Sequence, residues 1–241
     1  MNPSHELTLP LAGAVRGESR KPTLLLLLAP VLCTAFRYWG SPGFYRAQVQ
    51  ERLVLLGDPS WTASAWAFSA PLFTLALPAL AVAALPPRQR LAEASLGLGD
   101  WRFGCKAAAA MAPVMLAAAF LAARMPAFRL EYPLWPGAGT SGARFAAHAG
   151  LYLLYYVGYE GYFRGLLQGG LRRRLGDVDA VLVQTLATTL VHIGKPAGEI
   201  VGAIPAGLAW GSVAIRAGSI WPVVLAHWLL GVATDFFILF G

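Results

Sequence analysis

The 241-residue chain is 57% hydrophobic and 13% charged, with a mean hydropathy of +0.56, which excludes an ordinary soluble domain. Its net charge of +7 would suit a nucleic-acid binder, but the Lys and Arg residues sit mostly in short stretches beside apolar runs. There they act as topology determinants and contacts to a lipid bilayer, and no nucleic-acid partner is expected.

In chain order, a polar N-terminal segment, residues 1–22, precedes an apolar run at 23–39. No small-residue cleavage site follows this run, so it reads as an uncleaved first span. Further apolar runs at 61–85, 105–123, 145–171, 178–193, 199–215 and 219–240, bounded by Pro, Gly or charge, predict an all-α, polytopic membrane bundle of about seven transmembrane helices. Three parts follow: the polar segment 1–22, transmembrane helices and loops over 23–144, and a helical core over 145–241. Residues 40–60 and 125–143 are Pro/Gly-rich loops whose aromatics, such as Trp135, suit a membrane interface. The stretch 88–104 reads as an interfacial amphipathic segment. Cys33 and Cys105 have neither metal-site nor disulfide spacing and read as structural.

Three basic clusters fall on one side of a seven-span bundle: Arg16, Arg20 and Lys21; Arg88, Arg90, Arg102 and Lys106; Arg172, Arg173 and Arg174. They predict a cytoplasmic N-terminus. Glycines recur every fourth residue at Gly161, Gly165 and Gly169, and again at Gly194, Gly198 and Gly202, with Gly207 and Gly211 beyond. Such ridges let membrane helices approach closely.

Ionisable residues at membrane depth are costly and mark function, and Glu160 and Arg164 lie one helical turn apart in an apolar stretch. At about 1.5 Å per residue, Glu160 lies about 18 Å from the Arg172 end of its helix. His192 lies about 21 Å from the same face on the next helix, and His227 and Asp235 about 12 and 24 Å on the last. Glu199 begins its helix near that layer. The spacing within the fourth span lets Arg164 hold the Glu160 carboxylate ionised. A carboxylate and two imidazoles suit two chemistries: a water-activating base with oxyanion donors, or three ligands for a divalent metal such as zinc. The His-Glu-x-x-His signature of zinc proteases is absent. Serine chemistry is disfavoured, since Ser69, Ser212 and Ser219 have no His or Asp at an evident partner spacing. A small transporter would predict an internal repeat, and none is evident.

Taken in order, Tyr159-Glu160-Gly161-Tyr162-Phe163-Arg164, Thr188-Thr189-Leu190-Val191-His192 and the segment from His227 resemble the three motifs of the CPBP family of intramembrane proteases. That family includes the type II CaaX prenyl proteases and Abi proteins, and its pattern is Glu-Glu-x-x-x-Arg, Phe-x-x-x-His and His-x-x-x-Asn or Asp. Here Tyr159 replaces the first Glu, Thr188 the Phe and Gly231 the last residue. The stretch His192 to Glu199, with Lys195-Pro196, together with Asp235 resembles a single-glutamate branch of the family, in which Glu199 and Asp235 would replace missing polar groups. The resemblance implies an intramembrane endopeptidase cutting a membrane-associated protein near its C-terminus. Glu160 would activate water, Arg164 would fix Glu160, His192 would share the activation and His227 would stabilise the oxyanion. The composition suits a bacterial inner membrane, and a myxosortase-like sorting peptidase is one specific form of this reading. Tyr159 favours the alternative, a catalytically inactive scaffold or bacteriocin-immunity protein.

Overall fold

The computed structural model describes residues 20–52, 58–85 and 93–241. The polar N-terminal segment up to residue 19, with Arg16, and the start of the expected amphipathic stretch, with Arg88 and Arg90, lie outside the described residues. The described chain is helical: α1 (Arg20–Trp39), α2 (Pro59–Ala83), α3 (Trp101–Ala122), α4 (Pro126–Glu131), α5 (Gly142–Glu160), α6 (Gln168–Val191), α7 (Ala197–Ala217) and α8 (Trp221–Phe240). Among the described residues α1, α2, α3, α7 and α8 are long and apolar enough to cross a membrane. The remaining two expected spans are α5 and α6, joined by a π-helical turn over Gly161–Leu167. The chain is therefore an integral membrane protein built as a polytopic helical bundle.

Local chemistry sets the helix ends. The side chains of Asp58, Asp100 and Ser141 accept backbone N–H groups at the starts of α2, α3 and α5, satisfying donors that a helix start leaves open. Asp100 lies outside the spans, and the Phe103 N–H holds its carboxyl below the ordinary range, with help from Arg216. Gly218 closes α7 at φ 59°, and Gly176, at φ 82° and ψ 175°, interrupts α6 where the sequence separates two spans. Both backbone conformations favour glycine.

The two glycine ridges do different work. Side chains of α6 pack into the ridge on α7: a Cβ at Gly207 would lie 2.7 Å from Thr185, and one at Gly211 would lie 2.8 Å from Gln168 and Gln184. Gln168 and Gln184 also donate to the carbonyls of Gly211 and Gly207, at 3.1 and 2.8 Å, binding α7 to α6. The other ridge receives no helix. Residues 93–100 form a non-helical strap whose Glu93 carbonyl would lie 2.4 Å from a Cβ at Gly169, and whose Ala94 carbonyl would lie 2.9 Å from one at Gly165. The strap exchanges backbone hydrogen bonds with the ends of α7 and α8, Asp100 N–H to Ala217 O and Ile220 N–H to Ser95 O. Within the expected amphipathic segment Ala94 and Ser95 are nearly inaccessible, whereas Leu98 and Trp101 are exposed.

Trp135 is buried, tilted against Trp61 with ring centroids 4.5 Å apart. Basic residues do share an end of the bundle: Arg173 pairs with Glu93, Arg174 donates to Thr23 and Arg216 pairs with Asp100. Cys33 and Cys105 are free.

The core lies where α5 crosses α2. A Cβ at Gly158 would fall 2.6 Å from the Leu72 nitrogen and 2.9 Å from the Pro71 carbonyl carbon, and backbone cannot swing aside as a side-chain tip can. Gly158→Ala is expected to destabilise the bundle by about 1–3 kcal/mol through overpacking, read as a lower unfolding midpoint in detergent. An unchanged midpoint would mean that α2 and α5 separate freely.

Candidate active site

Four helices place the polar residues around a cavity of about 650 Å³. Its lining is largely apolar, with Ala110, Met111, Val114, Met115 and their neighbours on α3 and Ala203, Pro205 and Ala206 on α7. Tyr156 and Tyr159 of α5, His192 at the end of α6, Glu199 of α7 and His227 and Asp235 of α8 add polar groups to it.

Glu160 closes α5 and is fully buried; it does not line this cavity. Its Oε1 accepts a 2.6 Å hydrogen bond from His227 Nδ1, and Arg164 Nη1 lies 3.2 Å from Oε2. Arg164 sits in the π-helical turn, a widened geometry common at functional sites. The His227 ring is held on two further sides, by Tyr156 and Trp210, with ring centroids at 4.1 and 4.6 Å. Nδ1 and both faces are thereby engaged, which leaves Nε2 as the free nitrogen of this cavity-lining residue.

His192 is fixed in a similar way. Its Nδ1 lies 2.6 Å from the Thr188 carbonyl, which can only accept, so Nδ1 carries the proton and the neutral ring keeps a lone pair on Nε2. Glu199 Oε1 lies 3.6 Å from that Nε2. The Tyr132 hydroxyl donates to the same carboxylate, 3.1 and 2.9 Å from its two oxygens. Glu199 stands in the first turn of α7, where the helix dipole favours a negative charge. Tyr159 stands between the two imidazoles, its ring centroid 6.3 Å from that of His192 and 5.7 Å from that of His227.

The structure thus gathers Glu160, Arg164, His192, His227, Glu199 and Tyr159 at one level. It places two other candidates apart. Asp235 does not reach His227 but pairs with His148 Nε2 at 2.6 Å, both side chains buried. Lys195 pairs with Glu131 and lies over the Tyr132 ring, so its link to the cavity runs through Tyr132.

Sequence reasoning passed over His148, Tyr132, Tyr156 and Trp210. His148 carried the signal already applied elsewhere, an ionisable group inside an apolar run. The tyrosines at 152, 155, 156 and 159 put hydroxyls along a membrane helix at i, i+3, i+4 and i+7, which also marks a polar face. Nothing in the sequence singles out Tyr132 or Trp210.

Among the described residues no three His, Cys, Asp or Glu side chains are arranged to hold a metal ion together. The Nδ1 proton of His227 points to Glu160 and that of His192 to Thr188, so Nε2 is the nitrogen that each histidine would offer to a metal ion.

No curated protein and no solved structure matches the chain. Residues 141–233, which include Glu160, Arg164, His192 and His227, match the family model described as type II CAAX prenyl endopeptidase Rce1-like, so over that stretch the chain is similar to CPBP-family, Rce1-like proteins.

Proposed function

We propose that the protein is an intramembrane endopeptidase that hydrolyses a peptide bond near the C-terminus of a membrane-associated protein. The observation that carries this reading is the meeting of His192, Glu199 and His227, from three helices, in the lining of an otherwise largely apolar cavity. The apolar lining suits a lipid-embedded chain, and the polar groups suit its backbone.

The proposed chemistry distributes the roles by access. A water held between Glu199 and His192 gives a proton to His192 Nε2, and the hydroxide attacks the scissile carbonyl carbon. In this scheme His227, oriented through Nδ1 by Glu160, takes part in its protonated form and donates Nε2–H to the developing oxyanion. With Arg164 beside it, Glu160 carries one negative charge between two cations, so the site keeps a net positive charge where the oxyanion forms. On collapse the carbon–nitrogen bond breaks, and His192 returns its proton to the leaving amine. Glu160 acts through His227 in this scheme, and Glu199 is the carboxylate that meets water.

The basic end of the bundle is assigned to the cytoplasm, with the N-terminus there, in a bacterial inner membrane. The test compares protein termini in cells expressing the wild type or Glu199→Gln. Wild-type cells are expected to gain new termini in membrane proteins, and Glu199→Gln to reduce their rate of appearance by about 100-fold. Identical termini in expressing and non-expressing cells would sink the endopeptidase reading and leave the inactive scaffold.

A further inference from the structure

Helices α5 and α8 meet along two rungs. On α5, Tyr156 and Glu160 are four residues apart and share a face; on α8, His227 and Gly231 do the same. The upper rung is the Glu160–His227 hydrogen bond at 2.6 Å. On the lower rung, the Tyr156 hydroxyl fills the space in which a side chain at residue 231 would begin: a Cβ there would lie 2.4 Å from the hydroxyl oxygen and 2.9 Å from the Tyr152 ring. Tyr156, Gly231 and His227 all line the cavity, and the Tyr156 and His227 rings lie 4.1 Å apart. An O–H donor therefore stands beside the imidazole, and the absence of a side chain at 231 makes room for it.

We infer that the Tyr156 hydroxyl is a second donor to the oxyanion of the tetrahedral intermediate, working beside His227 Nε2–H. The inference rests on the endopeptidase reading and adds to it a residue from α5 that no motif contains. When the hydroxide adds, the carbonyl oxygen takes up the electron pair of its π bond. Two donors then share that charge, and the phenol keeps its proton throughout because it donates a hydrogen bond without transferring it.

Tyr156→Phe isolates the hydroxyl, because the ring that packs on His227 is kept. With a protein cleaved in a wild-type-dependent manner as substrate, and enzyme purified in detergent, Tyr156→Phe is expected to lower kcat by about 100-fold, within the range for loss of one oxyanion donor, with KM changed by less than about threefold. Gly231→Ala, which would force the hydroxyl aside, is expected to lower kcat in the same way. Tyr152→Phe, which removes the neighbouring hydroxyl that hydrogen-bonds Tyr156, is expected to cost clearly less than Tyr156→Phe. A kcat for Tyr156→Phe within about threefold of wild type, a change confined to KM, or an equal loss in Tyr152→Phe would overturn the inference while the endopeptidase reading stood. No cleavage of any substrate by wild-type enzyme would overturn both.

Discussion

Replacing His192 with alanine is expected to lower the rate of peptide cleavage by about 10²–10⁴-fold, the contribution of a well-placed general base, while the bundle stays folded. Two features of the site set the size of this effect. The Thr188 carbonyl fixes the ring through Nδ1, so the Nε2 lone pair is available without reorganisation. Glu199, 3.6 Å from that nitrogen, stabilises the imidazolium that forms when the proton arrives. Alanine removes both the proton acceptor and the partner of Glu199. The side chain is partly exposed at the cavity, and its one backbone hydrogen bond contributes only about 1 kcal/mol to stability. The check is a single-turnover rate measured alongside an unfolding midpoint in the same detergent. Cleavage at the wild-type rate would remove His192 from the chemistry.

The second large effect concerns stability and activity together. Glu160→Gln leaves the Arg164 guanidinium, 2% exposed, without its counter-ion, and removing one partner of a buried pair typically costs about 3–5 kcal/mol. It also weakens the Nδ1 hydrogen bond that orients His227, so cleavage should fall steeply. The double variant Glu160→Gln with Arg164→Met separates the two consequences. It removes the stranded cation, so most of the lost stability should return, because exchanging a whole buried pair for neutral groups is often close to neutral. Cleavage should stay lost. A double variant that regains cleavage would show that the Glu160–His227 contact serves folding alone.

How far the sequence spoke for itself depended on range. The helices were legible because apolar runs bounded by Pro, Gly and charge are local signals, and every expected run corresponds to a helix. Depth along those helices was legible too, since rise per residue is nearly constant: arithmetic set Glu160 and His192 at similar depth and His227 close by, and the structure puts His227 against Glu160 and Tyr159 between the two histidines. Rotation about each helix axis was not legible. It decides that Glu160 turns away from the cavity while Glu199 faces it, and that Asp235 meets His148 rather than His227. Those outcomes depend on contacts between residues 67 to 87 positions apart, which no periodicity encodes. The glycine ridge at 161, 165 and 169 was read correctly as a place of close approach, but its partner, a non-helical strap, could not be inferred from spacing alone.

That strap bears on modularity. The stretch that carries the family likeness begins at residue 141, yet two of its glycines are notches cut for backbone that lies some 70 residues earlier in the chain. A fragment starting there would bring the notches without their filling, and the Ala217 carbonyl and Ile220 N–H would lose their partners. The inherited segment and the foldable unit are therefore not the same length. Grafting the segment onto another protein means carrying residues 93–100 with it.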